Sequence, residues 1–152
     1  MNSFFTIKLR WAFGIFAIVD TICAGVGMGV PVFCIFLGFL TGWYIARVVA
    51  PTTHEIRQLL QKFFLYAVVT SAFTFVLMAI IWGRCIVMLF NPSTDYANLG
   101  VPLILYDPRA SFIGWLVLMI VISPILQFLT TIAGSHLTLM LRSRDGRQGA
   151  QS

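Results

Sequence analysis

The stretch DTICAGVGMGVPVF, residues 20–33, decides how this chain folds. It sits inside 36 residues, between Arg10 and Arg47, that carry a single charge, Asp20. As one straight helix, 36 residues would reach about 54 Å, well beyond a bilayer core of about 30 Å. The run must therefore turn back on itself. Its one breaker is the cluster Gly25, Gly27, Gly29 and Pro31, and the glycines supply the backbone freedom a tight turn needs. The reading is a helical hairpin, with a first helix over 9–26 and a second over 31–48.

The rest of the chain suits the same environment. Hydrophobic residues make up 59% and charged residues 10%, where soluble domains have roughly 45–50% and 25%. So few charges cannot clothe a soluble surface of 152 residues. Further uncharged runs cover 63–83 and 110–141. The fold class read from this is an all-α integral membrane protein with four transmembrane helices, over 9–26, 31–48, 63–84 and 111–131. Residues 1–141 form one transmembrane domain, and 142–152 a disordered cytoplasmic tail.

Local signals mark the boundaries. Thr52 and Glu55 fit the ends of a capping box, so the third helix is expected to start near 53 and run to about 84–89. Residues 91–110 hold three prolines, a glycine and two aspartates, and form an outer loop whose apolar VPLILY lies on the membrane surface. The last uncharged run is too long for one straight pass. A kink at Pro124 fits it better than a second hairpin, because no glycine turn accompanies that proline.

Charge sets the orientation. With both termini in the cytoplasm, Lys8, Arg10, Arg47, Arg57, Lys62, Arg142, Arg144 and Arg147 are inside, and Arg84 and Arg109 outside. That is the positive-inside pattern of a multi-pass protein of the cell membrane. The net charge of +5 comes from these flanking residues rather than from one basic face, so it does not indicate nucleic acid. The partners read from the sequence are the lipid bilayer and either copies of the chain or other subunits of a membrane complex.

Asp20 is the one acid within a pass, and an intramembrane carboxylate points to function. At 1.5 Å per residue Asp20 lies roughly 13 Å from the inner interface, and Thr41, Ser71 and Ser123 between about 12 and 14 Å. Thr70, Thr74 and Gln127 fall within about a turn of that level. This polar layer reads either as glue between helices or as a proton or cation site. A pair between Asp20 and Arg84 is disfavoured, because Arg84 lies nearer the outer face and snorkels outward. Gly38 and Gly42 form a GxxxG pattern, as do Gly25 and Gly29, which marks faces where helices approach closely.

Cys23, Cys34 and Cys85 are odd in number and without CxxC spacing, and neither His54 nor His136 has a second ligand at helical spacing. No metal, cofactor or catalytic arrangement is expected. The function read from the sequence is a non-catalytic small subunit or homo-oligomer, the alternative being a small proton- or cation-coupled transporter or channel that uses Asp20.

Overall fold

The computed structural model describes residues 9–26, 30–52, 55–102 and 105–148, and among them there is no strand. The helices are α1 (Leu9–Val26), α2 (Val30–Val49), α3 (Ile56–Trp82), α4 (Pro108–Val117) and α5 (Ser123–Gln148). A π-helical turn, Leu118–Ile122, joins α4 to α5 without a break. Three helical stretches are long and apolar enough to cross a membrane: Val30–Val49, Ile56–Phe90 and Pro108–Ser143. The apolar part of α1, Trp11–Gly25, is shorter. The turn expected at Gly27 and Gly29 lies outside the described residues.

Pairs of touching residues give the directions. Phe16 meets Phe73, Asp20 meets Thr74, and Ala24 shares a cluster with Met78, so α1 and α3 run the same way. Phe64 meets Phe128, Ser71 meets Pro124 and Trp82 meets Trp115, so α4 and α5 run against α3. Gly38 faces Gln127 and Gly42 faces Thr131, so α2 runs alongside α5.

Two apolar clusters close the ends of the bundle. Ala24, Val30, Cys34, Met78 and Met119 join all the helical stretches at one end, with Trp82 and Trp115 edge to face beside them. Ile45, Ala46, Val49, Leu59 and Phe63 join α2 and α3 at the other, with Leu139 of α5 against them. Between these lies a buried polar belt that includes Asp20, Thr70, Thr74, Ser123, Gln127, Thr131 and Ser135. Large apolar side chains such as Ile18, Phe36, Phe64, Val76 and Leu129 point outward instead. Polar inside and apolar outside suits hydrocarbon rather than water.

Several boundaries differ from the sequence reading. The third helix starts at Ile56, not near 53, and Glu55 stands at its N-cap without a side-chain capping bond. The carboxylate of Glu55 accepts instead from Gln58 Nε2 at 2.6 Å, and Thr52 closes a short 3₁₀ turn, Ala50–Thr52. Pro51 lies within that turn, and a proline has no N–H to continue α2. At its far end α3 tightens into a 3₁₀ helix, Gly83–Phe90.

The last helix starts three residues before 111, at Pro108. Asp107 caps it by accepting from Arg109 N–H at 2.9 Å, and proline sits in the first turn, where a missing N–H costs nothing. The same helix continues to Gln148, into the segment read as a disordered tail.

The loop that follows the 3₁₀ helix is tied to it. Tyr96 Oη and Thr94 Oγ1 donate to the Met88 carbonyl at 2.9 and 3.0 Å, and Arg109 donates to the Leu89 carbonyl at 3.1 Å. Of the VPLILY segment, Leu105 and Tyr106 are exposed, and residues 103–104 lie outside the described residues.

Candidate functional site

The polar belt is built from three helices, α1, α3 and α5, and begins with Asp20. The residue is 1% exposed, and its carboxyl group accepts a 2.7 Å hydrogen bond from Thr74 Oγ1. Thr74 and Thr70 stand one turn apart on the same face of α3, and both are buried. Thr70 Oγ1 turns back on its own helix, 2.9 Å from the Tyr66 carbonyl. Among the described residues Asp20 makes no ion pair, and Arg84 is exposed on the 3₁₀ helix.

Ser71 and Ser123 belong to one local device around Pro124. A proline inside a helix lacks the N–H for the preceding turn, and its ring presses on the carbonyl four residues back, here Ile120. The π-turn relieves this by widening the helix, with Ser123 N–H bonding five residues back to the Leu118 carbonyl. Ser123 Oγ donates to the same carbonyl at 2.8 Å. The Pro124 carbonyl in turn accepts from Ser71 Oγ of α3 at 2.6 Å.

Thr41 is elsewhere. It is half-buried on the wall of a cleft between α1, α2 and α3. The structure thus brings Ser71 next to Pro124 and Asp20 next to Thr74, and places Thr41 on the cleft wall.

Gly38 and Gly42 lie in the seam between α2 and α5, where α2 has its most extensive packing. A Cβ at Gly38 would fall 2.5 Å from the Gln127 carbonyl and against Thr130 Oγ1. At Gly42 it would strike the Thr131 carbonyl and lie 2.9 Å from Ser135 N. From the other side, a Cβ at Gly134 would lie 2.7 Å from the Phe39 carbonyl, and Ser135 Oγ donates to the Gly42 carbonyl at 3.1 Å. Gly25 is different, for a Cβ there meets nothing within 4 Å. Gly29 lies outside the described residues.

Of the α5 half of this seam, the sequence reading places only Gln127, within about a turn of the polar layer, and not its packing against Gly38. The signal of that half is the four-residue spacing of Gln127, Thr131 and Ser135, all fully buried, with Gly134 beside them. Gln127 is distinct within the group: both its amide nitrogen and its amide oxygen are buried without a hydrogen-bond partner. Buried polar groups are normally paired, so an amide of this kind marks a place where a further polar group belongs.

No group of three or more His, Cys, Asp or Glu that could hold a metal occurs among the described residues. His136 is exposed, and His54 lies outside the described residues. Cys34 is buried, Cys23 and Cys85 are half-buried, and all three are free thiols. Compared with known proteins, the chain matches no family model, no curated protein and no solved structure.

Proposed function

We propose that this chain is a four-pass protein of the cell membrane with both ends in the cytoplasm. It works without catalytic chemistry, as a homo-oligomer or as a small subunit of a membrane complex. The observation that carries this reading is the use made of the polar belt. Ser71 to Pro124, Thr74 to Asp20 and Ser135 to Gly42 each join one helix to another. Interhelical hydrogen bonds of this kind hold membrane bundles together, at about 0.6 kcal/mol on average and about 1.7 at most.

The alternating helix directions agree with four crossings. At 18 residues α1 is about 27 Å long, close to the core thickness of about 30 Å. Single-cysteine variants in a background without the native cysteines test the topology. An impermeant thiol reagent added outside should label Asp95→Cys and spare Arg57→Cys and Ser143→Cys. Labelling of Ser143→Cys from outside would remove the four-pass arrangement. Extraction in mild detergent should yield a homo-oligomer or a stoichiometric complex, and a lone monomer would exclude both forms of assembly.

A second reading is favoured by Gln127. Its unpartnered amide stands in the same belt as the one buried acid among the described residues. A carboxyl group takes up and releases a proton or holds a cation, which supports a small proton- or cation-coupled transporter or channel that uses Asp20. Asp20→Asn keeps the size and the bond to Thr74 but cannot titrate. Ion flux in liposomes that is present in the wild type and lost in this variant would establish transport. Absence of flux from the wild type under proton, sodium and potassium gradients would leave the packing role alone.

A further inference from the structure

The cleft beside α1 has a shape and a polarity that select a ligand. It encloses about 780 Å³, within the roughly 300–1,000 Å³ of sites that hold a small molecule. Its walls are formed by Ala12, Phe16 and Val19 of α1, Leu37 and Leu40 of α2, and Val69 of α3, among others, and among the described residues no charged side chain lines it. The cleft exists because the α1–α2 hairpin diverges. Ala24, Val30 and Cys34 hold the two helices together beside their connection. Further along, α1 leans on α3 through Phe13 and Phe16 against Phe73, and so parts from α2.

A cation adjoins one end of this cleft, whose described wall is otherwise apolar apart from Thr41, Tyr44, Tyr66 and Thr70. Trp43 and Tyr44 line that end in the last turns of α2, and Arg47 follows within the same helix. The Arg47 guanidinium is stacked over the Trp43 ring, 4.5 Å from its centre, and the residue is exposed. Tryptophan and tyrosine are the residues of the headgroup level, and a guanidinium pairs with phosphate through two parallel N–H bonds. The opposite end approaches the buried Asp20, beside Val19, and offers no site for a second headgroup.

We propose that this cleft binds an anionic phospholipid, one acyl chain lying along α1 and α2 and the phosphate pairing with Arg47. The wall fits the chain: residues 12–19 of α1 and 37–45 of α2 give about 10 to 12 Å of apolar length parallel to the helices. The charge fits the headgroup, because the cation stands at the interfacial end and belongs to the side on which Lys8, Arg10, Arg57 and Lys62 also gather in the sequence. The proposal rests on the membrane reading and is independent of the number of passes.

Native mass spectrometry of the delipidated full chain tests it, with phosphatidylglycerol and phosphatidylcholine of identical acyl chains as probes. The wild type should retain one phosphatidylglycerol per chain, roughly fivefold more readily than phosphatidylcholine, the scale of one basic residue acting on an anionic lipid. Arg47→Gln should bring phosphatidylglycerol down to the phosphatidylcholine level and leave phosphatidylcholine binding unchanged. Leu40 and Val69 are both exposed, so Leu40→Trp with Val69→Trp fills the cleft without disturbing the core and should abolish retention of both lipids.

Equal retention of the two lipids by the wild type would overturn the proposal, as would full retention by the double tryptophan variant. So would a lipid-free dimer in which a second copy covers the cleft. Recovery of the chain in the soluble fraction without detergent would instead remove the membrane reading itself.

Discussion

Helices α2 and α5 meet backbone to backbone, whereas α1 is fastened to α3 by one buried hydrogen bond and a cluster of three phenylalanine rings. Lipid tails are as apolar as leucine, so there is little hydrophobic force to press membrane helices together. Association then depends on dispersion contacts, which fall away within an ångström of separation, and on hydrogen bonds. The α2–α5 seam satisfies the first requirement by having no side chain at Gly38, Gly42 or Gly134. On the α1 side the second requirement dominates, and the looser fit leaves the cleft open. One half of the molecule is closely packed, and the other is parted enough to leave a cleft.

The sharpest way to break this contrast is to add one carbon to the closely packed half. Gly42→Ala puts a methyl group against the Thr131 carbonyl and Ser135 N, which are backbone atoms and cannot rotate away. The expected loss is about 1–3 kcal/mol or more, and Gly42→Leu should prevent assembly altogether. Thermal unfolding in mild detergent, followed by helix signal, measures both.

On the other side, Thr74→Val leaves Asp20 buried without its hydroxyl partner. That should lower stability by about 1–3 kcal/mol, and Asp20→Asn in the same background should recover part of the loss by replacing the buried ionisable group with an amide. A double-mutant cycle that shows no coupling between the two positions would mean that the bond does not hold α1.

A smaller effect belongs to the link between the halves. Ser71→Ala removes the donor to the Pro124 carbonyl and should cost about 0.6 kcal/mol, the average for an interhelical bond in a membrane. The smallest effect is expected at Gly25. A methyl group there meets open space, so Gly25→Ala should stay within about 0.5 kcal/mol of the wild type. A large loss at Gly25 alongside a neutral Gly42→Ala would invert the comparison.

Much of the helical layout was legible in the sequence because it depends on length and local chemistry. The limits of α1 and α2 follow from 36 residues that cannot cross a bilayer core in one straight helix and from a single glycine–proline break. The continuity of the last helix through Pro124 follows from a proline without a turn beside it. The capping box at Thr52 did not form the helix start, because α3 begins three residues later with Glu55 as its N-cap, a three-dimensional outcome that two residue types at the right spacing do not reveal. Asp107 as the cap of α4 was missed although Asp-Pro is a helix-start signal, because the uncharged run drew the boundary to Ser111.

By itself the sequence determined that the chain is helical and apolar, that Asp20 stands alone within an apolar run, and that Gly38 and Gly42 share one helix face. Those properties come from periodicity and composition, which are local. The tertiary structure decided that the glycine face meets α5 rather than α1 or α3, that Asp20 turns to Thr74 while Thr41 faces a cleft, and that Gln127 is buried without a partner. Spacing along one helix defines a face but not its counterpart. The counterpart is whichever surface lets the backbones approach most closely, and that depends on residues about ninety positions away in the chain.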